Sequence, residues 1–370
     1  MHKRKALKVI IAGGGTGGHL YPGIALAQEF QKRYDSEIMF VGTAYGLENK
    51  VLPKMSFRFK KIWMRGLQRN LSLGNLLFPL RLVVSLIQCT SLILAFKPDI
   101  ILGTGGYVSG PVLMMGITLR IPTVIQEQNS YPGLVNRLLG KRVDQVHVTF
   151  EDSLSYFKRN GNIFVSGNPV RRDLNQVSKQ AALTKFNLQP DKTTLFVFGG
   201  SQGARALNHA VLNSIEQLMS FPDLQIIWAT GPYDAKAVAS KCNGENRIAH
   251  FEFIEDMASA YAAADFVLCR SGATTLAEIA ICGLPAILVP YPYSAAGHQK
   301  FNAKATEAAG AAIAISEENL GGKTLLAAIS ELKDNSQKRE AMARAAKKLA
   351  KPDAAAEIVS AIRPLLSKLG

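Results

Sequence analysis

Three short stretches of this chain combine glycine and small hydroxyl residues in a way that could handle phosphate. The first is Gly13-Gly14-Gly15-Thr16-Gly17-Gly18, followed at once by His19. Glycines there let backbone N–H groups approach an anion at a helix N-terminus, where the helix dipole favours negative charge. The spacing satisfies G-x-G-x-x-G, but a nicotinamide dinucleotide also requires an acid ending the second strand. That strand reads Ile38-Met39-Phe40-Val41-Gly42-Thr43, with Asp35 and Glu37 before it and no acid at its end, which argues against NAD. His19 is either a structural histidine or a general base, and its place beside a ligand-sized loop favours the base. The second stretch is Gly199-Gly200-Ser201-Gln202-Gly203-Ala204-Arg205. It fits a phosphate loop, and it fits equally a tight turn that needs small residues. The third runs from Cys269 through Arg270-Ser271-Gly272-Ala273-Thr274-Thr275-Leu276-Ala277 to Glu278. Thr274 and Glu278 are four apart and share a helix face. A carboxylate one turn behind a phosphate site can accept both hydroxyls of a ribose; alternatively Glu278 only balances the helix.

These loops need strands and helices to hold them. Apolar runs at Val9–Ala12, Ile38–Val41, Ile100–Leu102, Thr123–Ile125, Leu195–Phe198, Ile226–Trp228, Phe266–Leu268 and Ala286–Val289 alternate with helical patterns. Short β-branched runs of this kind are strands buried on both faces, so the expected class is α/β with parallel sheets. Two of them, at Val9 and Leu195, feed directly into a glycine turn and a helix, so each half of the chain opens with its own Rossmann-type unit. The expected division is 1–170, 171–352 and a C-terminal amphipathic helix in 353–370.

With 370 residues, of which 48% are hydrophobic and 19% charged, the chain has the composition of a folded two-domain protein. A formal charge of +15 favours anionic partners. No nucleic-acid recognition motif accompanies it, so nucleic acid is not expected as a partner. Cys89, Cys242, Cys269 and Cys282 have no Cys-x-x-Cys spacing and read as reduced, buried thiols. The apolar run at Val9 is too short for a signal peptide, which points to a cytosolic chain.

The motifs together resemble the MurG family of bacterial peptidoglycan glycosyltransferases. The matching segments are GGGTGGHLYPG at 13, KPDIILGTGGYVSGP at 97, EQNSYPGLVN at 127, GNPVR at 167, GGSQGARALN at 199, FIEDM at 253, CRSGATTLAEIA at 269, GLPAILVPYP at 283 and GHQKFNA at 297. The resemblance implies a GT-B fold, two Rossmann-like domains whose parallel sheets face a central cleft. It implies an inverting transfer of N-acetylglucosamine from UDP-N-acetylglucosamine to the 4-hydroxyl of lipid I, the undecaprenyl-pyrophosphoryl-N-acetylmuramoyl-pentapeptide, giving lipid II. By family motif the donor is held by Thr16, Gly17, Gly18, Asn129, Arg171, Ser201, Ile254, Ala273, Thr274, Thr275, Leu276, Ala277, Glu278 and Gln299. His19 is implied as the catalytic base, with Glu127 as a second candidate. No cofactor and no metal are implied, and the chain has no Asp-x-Asp motif or histidine cluster near these residues. Gln126 stands where many members have histidine.

Residues 71–96 are strongly apolar, with Arg81 their single charge, and follow Lys60, Lys61, Arg65 and Arg69. The longest uncharged stretch, Leu82–Phe96, falls short of the ~20 residues of a spanning helix. Leu80, Val83, Val84 and Ile87 keep helical spacing. Apolar residues ringed by basic ones suit an anionic leaflet, although a core-facing helix explains the later portion as well. The resemblance implies a membrane patch of Leu76, Leu80, Val83, Leu86 and Ile117, and peripheral attachment to the cytoplasmic face of the inner membrane. Two other readings compete: a UDP-N-acetylglucosamine 2-epimerase, and a non-enzymatic basic membrane- or nucleic-acid-binding module.

Overall fold

The computed structural model describes residues 6–66, 76–157, 161–171, 173–200 and 202–366. It divides into two compact units, Met1–Val170 with Asp353–Gly370, and Arg171–Pro352.

The first unit contains β1 (Leu7–Gly13), β2 (Ser36–Gly42), β3 (Arg58–Lys61), β4 (Ile100–Gly105), β5 (Thr123–Glu127), β6 (Gln145–Val148) and β7 (Ile163–Val165). They form one parallel sheet in the order β3-β2-β1-β4-β5-β6-β7. The second contains β8 (Thr193–Phe198), β9 (Leu224–Ala229), β10 (Ile248–Phe251), β11 (Phe266–Cys269), β12 (Ala286–Leu288) and β13 (Ala312–Ala314). Its parallel order is β10-β9-β8-β11-β12-β13. Two parallel α/β units are thus present, as the paired glycine turns predict. The helices that flank the sites or the exposed apolar segment are α1 (Gly17–Arg33), α2 (Phe78–Phe96), α3 (Ser109–Thr118), α4 (Met257–Ala263), α5 (Ala273–Cys282), α6 (His298–Ala308) and α7 (Ala354–Ala361).

Strand β1 shows why the sheet reads as a continuous apolar run. Val9 and Ile11 face a layer with Leu20, Ile24 and Phe30 of α1. Ile10 and Ala12 face the opposite layer with Ile93 of α2 and Val112 and Leu113 of α3. Both faces are covered, so neither alternates with polar residues. The chain's last stretch packs into the first unit: Ala355, Ile358 and Val359 of α7 join the α1 layer. Arg33 donates to Ser360 Oγ at 2.5 Å, and Gln145 Nε2 donates to the Ala361 carbonyl at 3.0 Å.

Helix α2 is apolar on its outer face as well as its inner one. Its buried stripe is Ser85, Cys89, Ile93 and Phe96, while Leu80, Val83, Ile87 and Leu94 face solvent. It is also the one helix among the described residues long and apolar enough to cross a membrane, with a mean hydropathy of 1.8. Cys89, Cys242 and Cys269 are buried and Cys282 half-buried, all as free thiols.

Strand β6 buries polar side chains instead. His147 is fully buried, hydrogen-bonds Ser166 Oγ at 2.8 Å and stacks on Phe164 at 5.1 Å. Burial pushes its imidazole down from 6.5 to about 4. Above pH 6.5 neither the folded nor the unfolded chain protonates this group. Below it the unfolded chain takes up a proton that the folded one refuses, so stability is lost as pH falls from 6.5 towards 4. The loss reaches up to about 3 kcal/mol. Urea unfolding at pH 7 and pH 4.5 measures it, and His147→Gln is expected to remove this part of the pH dependence.

Candidate active site

In open parallel sheets, ligands bind outside the carboxyl ends of the strands, where the strand order reverses. In the first unit that point lies between β1 and β4. The register slips there, with Ala12 opposite Gly103 but Gly13 opposite Gly105, so Thr104 is bulged out of the ladder. Thr104 Oγ1 donates to the His19 carbonyl at 2.8 Å, which ties the first turn of α1 to β4. A Cβ on Gly13 would lie 1.9 Å from that hydroxyl, so the close approach requires glycine.

His19 is half-buried on α1. Its Nδ1 lies 3.0 Å from Gln128 Oε1, just past β5. Gly105 and Gly106, both with positive φ, make room for the ring: a Cβ on Gly105 would meet His19 Nδ1 at 2.6 Å. Thr16, Gly17 and Gly18 form the turn leading into α1, where the Thr16 carbonyl accepts from the N–H groups of His19 and Leu20.

Glu127, the second candidate base, is almost fully buried. One carboxylate oxygen accepts from Asn129 N (2.9 Å) and Asn129 Nδ2 (3.1 Å). The other accepts from Gly133 N (3.0 Å) and Asn136 Nδ2 (2.8 Å). Four donors from its own loop engage this carboxylate, so the geometry fits a clamp on residues 129–136 better than a free proton acceptor.

The sequence offered no acid at the end of β2, yet the structure supplies one. Glu48, five residues beyond Thr43, folds back under the glycine loop with no solvent exposure. It accepts from Gly15 N at 2.8 Å, Thr43 N at 2.9 Å and Thr43 Oγ1 at 3.0 Å. Its oxygens are taken by two backbone N–H groups and a hydroxyl inside the protein, which leaves it badly placed for a ribose. Spacing alone could not reveal it, because the turn at Ala44–Leu47 reverses the chain.

The second unit repeats the arrangement between β8 and β11. After β8, Gly203 crosses Gly231 backbone to backbone, and a Cβ on Gly203 would lie 2.1 Å from the Thr230 carbonyl. Ser201 lies outside the described residues, as does Arg69. After β11 the start of α5 is open: Gly272 precedes it with no side-chain cap, and Thr274 Oγ1 is buried without a partner among the described residues. Ala273, Thr274 and Thr275 form this first turn, and Leu276 and Ala277 lead on to Glu278.

Glu278 is 6% exposed. Arg171 Nε donates to one of its oxygens at 3.2 Å and the Tyr261 hydroxyl of α4 donates to the other at 2.8 Å. Burial pushes its carboxyl up, against the pull of Arg171 and Tyr261, and the net shift is upward. Burial also drives the Tyr261 phenol well above its ordinary range, so it remains a donor. Nothing in the sequence pattern pointed to Tyr261, which reaches Glu278 from a neighbouring helix.

Ser271 Oγ donates to the Gln299 carbonyl at 2.8 Å, and Asn302 Nδ2 donates to the Ser271 carbonyl at 3.2 Å. These bonds hold the start of α6 against the start of α5. Gln299 Oε1 accepts from Tyr291 N at 2.9 Å, which leaves its Nε2 as the available end. Ile254 is buried just before α4, and its backbone N–H and C=O have no partner among the described residues.

The expected donor-binding residues therefore fall into two groups. Thr16, Gly17, Gly18 and Asn129 belong to the first unit, with His19 and Glu127. Arg171, Ile254, Ala273–Glu278 and Gln299 belong to the second. Of the expected apolar patch, Leu76, Leu80 and Val83 are exposed, whereas Leu86 is half-buried and Ile117 packs against the core. Among the described residues no group of three or more His, Cys, Asp or Glu is placed to hold a metal ion.

Comparison with known proteins agrees with this two-unit arrangement. The glycosyltransferase family 28 N-terminal domain matches residues 9–148 and the family 28 C-terminal domain matches residues 194–358. A relative from Desulforamulus reducens is 42% identical over 98% of this chain and 100% of its own length. It is named UDP-N-acetylglucosamine–N-acetylmuramyl-(pentapeptide) pyrophosphoryl-undecaprenol N-acetylglucosamine transferase. A protein of the same name from Chlorobaculum parvum is 41% identical over 96% of this chain and 98% of its own. Among solved structures, MurG of Acinetobacter baumannii has a TM-score of 0.78 at 28% identity, covering 97% of this chain and 99% of that one. A UDP-GlcNAc 2-epimerase from Neisseria meningitidis has a TM-score of 0.67 at 15% identity, over 96% and 99%, a likeness of fold alone. On the two domain matches and the near-full-length relatives, the chain belongs to glycosyltransferase family 28.

Proposed function

We propose that this chain is an inverting transferase that moves N-acetylglucosamine from UDP-N-acetylglucosamine to an undecaprenyl-pyrophosphoryl-linked N-acetylmuramoyl-pentapeptide, releasing UDP. The observation that carries the reading is the open start of α5 with Glu278 one turn behind it. Its N–H groups, the unpartnered Thr274 hydroxyl and the nearby Arg171 suit a pyrophosphate. Glu278 accepts the ribose hydroxyls, Ile254 offers its backbone pair to the base, and the Gln299 amide faces the sugar. The full-length relatives supply the identity of sugar and acceptor.

In this reading His19 takes the proton from the acceptor's 4-hydroxyl as that oxygen attacks the anomeric carbon. The bond to the β-phosphate breaks on the opposite side, which inverts the centre. Arg171 and the α5 amides stabilise the charge left on UDP. Glu127 holds the loop that carries Asn129.

A lipid-borne acceptor accounts for α2. Leu80, Val83, Ile87 and Leu94 form an exposed apolar stripe along one helix, preceded by the exposed Leu76 and Leu77. Trp63 lies alongside, its backbone N–H donating to Gln88 Oε1 at 2.8 Å and its ring under Arg81. Lys60 and Lys61 at the end of β3 and Arg65 beyond it are exposed. Apolar residues, an interfacial tryptophan and a basic rim are what attachment to an anionic cytoplasmic leaflet requires. The epimerase reading leaves this stripe unexplained.

The test is UDP release from UDP-N-acetylglucosamine with and without a lipid I analogue. Acceptor-dependent release is expected; epimerisation without acceptor would refute the transferase reading. His19→Ala is expected to lower kcat by about 10²- to 10⁴-fold while sparing UDP affinity. Glu278→Ala is expected to act mainly on the donor, raising its KM. Aspartate at both Leu80 and Ile87 should weaken binding to anionic vesicles by roughly tenfold or more, as should high salt. Unchanged vesicle binding would remove α2 from the membrane role.

A further inference from the structure

His19 is served by a chain of amides whose sense is fixed. Gln128 Nε2 faces three oxygens: the Thr104 carbonyl at 2.6 Å, the Gln126 carbonyl at 3.1 Å and Gln126 Oε1. Turning the Gln128 amide over would set its own oxygen against all three, so the nitrogen end belongs there. Gln126 is oriented in turn, with its Nε2 directed at the Gly167 carbonyl and Asn168 Oδ1 at 3.5 and 3.4 Å. Gln126 and Gln128 are each 1% exposed, which leaves little water to rescue a reversed arrangement. What remains of Gln128 is Oε1, an acceptor, 3.0 Å from His19 Nδ1.

From this we infer that Gln128 is a positioning residue that holds neutral His19 as its Nδ1–H tautomer, with the lone pair on Nε2. Nδ1–H donates to Gln128 Oε1. Nε2 has no protein partner among the described residues and is the ring nitrogen able to take a proton. A histidine side chain in water favours the opposite tautomer, with hydrogen on Nε2, and that form would present a donor where a base must present an acceptor. The bulged Thr104 does two jobs here. Its hydroxyl fixes the backbone of His19, and its carbonyl fixes the amide that selects the tautomer. Gly105 and Gly106 keep the ring within reach of that amide. The catalytic meaning of the assignment rests on His19 acting as the base; the tautomer itself does not.

Nitrogen-15 NMR of the histidine-labelled chain, at a pH where His19 is neutral, distinguishes the two tautomers directly. The wild-type signal should be that of the Nδ1–H form. Gln128→Met keeps the side-chain length but removes the acceptor, and should move His19 towards the Nε2–H form. Turnover should follow the tautomer: kcat falls at least about tenfold in Gln128→Met, with the KM for UDP-N-acetylglucosamine unchanged. A wild-type His19 already in the Nε2–H form overturns the inference without any variant having to fold. So does a tautomer indifferent to Gln128→Met. His19→Ala with undiminished turnover would instead overturn the base reading and leave the tautomer measurement standing.

Discussion

A strand that runs parallel to its neighbour cannot return by a tight turn. Every crossover must leave from the same edge of the sheet and come back to the opposite one. That constraint decides where chemistry can sit in this chain. The order β3-β2-β1-β4 sends the chain away from β1 in one direction, and β4 continues in the other. The loops after β1 and β4 therefore part, and the first glycine turn lies where they do. The order β10-β9-β8-β11 repeats the situation in the second unit, with α5 starting at the equivalent point. Each unit makes one such place, and the residues there determine what it is good for.

The two places differ electrostatically although their sequences look alike. In the first, Glu48 occupies the space beneath the loop: a Cβ on Gly14, Gly42 or Gly46 would approach its carboxylate side chain to 2.6, 2.7 or 2.0 Å. These glycines make room for a buried carboxylate, and that carboxylate takes the Gly15 N–H. A carboxylate beneath the loop opposes a phosphate above it. In the second, no acidic side chain caps the first turn of α5. Glu278 sits a turn further on and is paired with Arg171. That balance suits an anion at the helix start and hydroxyl groups beyond it.

Much of the architecture was legible in the chain. The eight apolar runs, from Val9–Ala12 to Ala286–Val289, all prove to be strands, because strands covered on both faces leave an uninterrupted apolar signature. The strands without such a signature are β3, β7, β10 and β13, which form the four sheet edges, and β6 next to one of them. An edge strand has one neighbour and faces water: β3 reads Arg58-Phe59-Lys60-Lys61, and its charges looked like surface. β6 hides Gln145 and His147 in hydrogen bonds that no local pattern announces. At the sites, residues belonging to one loop or one helix turn could be read, as with Thr274 and Glu278. Glu48, Tyr261 and the orientation of Gln128 could not. Each acts through contacts from separate elements, and a one-dimensional spacing carries no such information.

Helix α2 departs from the rule that governs the rest, since beside its buried stripe of Ser85, Cys89, Ile93 and Phe96 it turns leucine, valine and isoleucine outward. A soluble helix places its apolar face inward because burial of each large side chain is worth about 1.5–3 kcal/mol. Topology shows where the outward stripe leads. α2 joins β3 to β4, both parallel to β1, so it runs back along the sheet and begins at the edge where the strands end. Leu76, Leu77 and Leu80 therefore lie at the edge of the first unit that also carries His19, while Leu94 lies about 20 Å or more away along the helix at ~1.5 Å per residue. An acceptor sugar held on a lipid by a pyrophosphate has to meet a base close to the bilayer surface. In the proposed reading, a stripe that starts at the edge carrying His19 would bring that edge to the bilayer surface without a spanning helix, which gives the outward apolar residues of α2 a use outside the core.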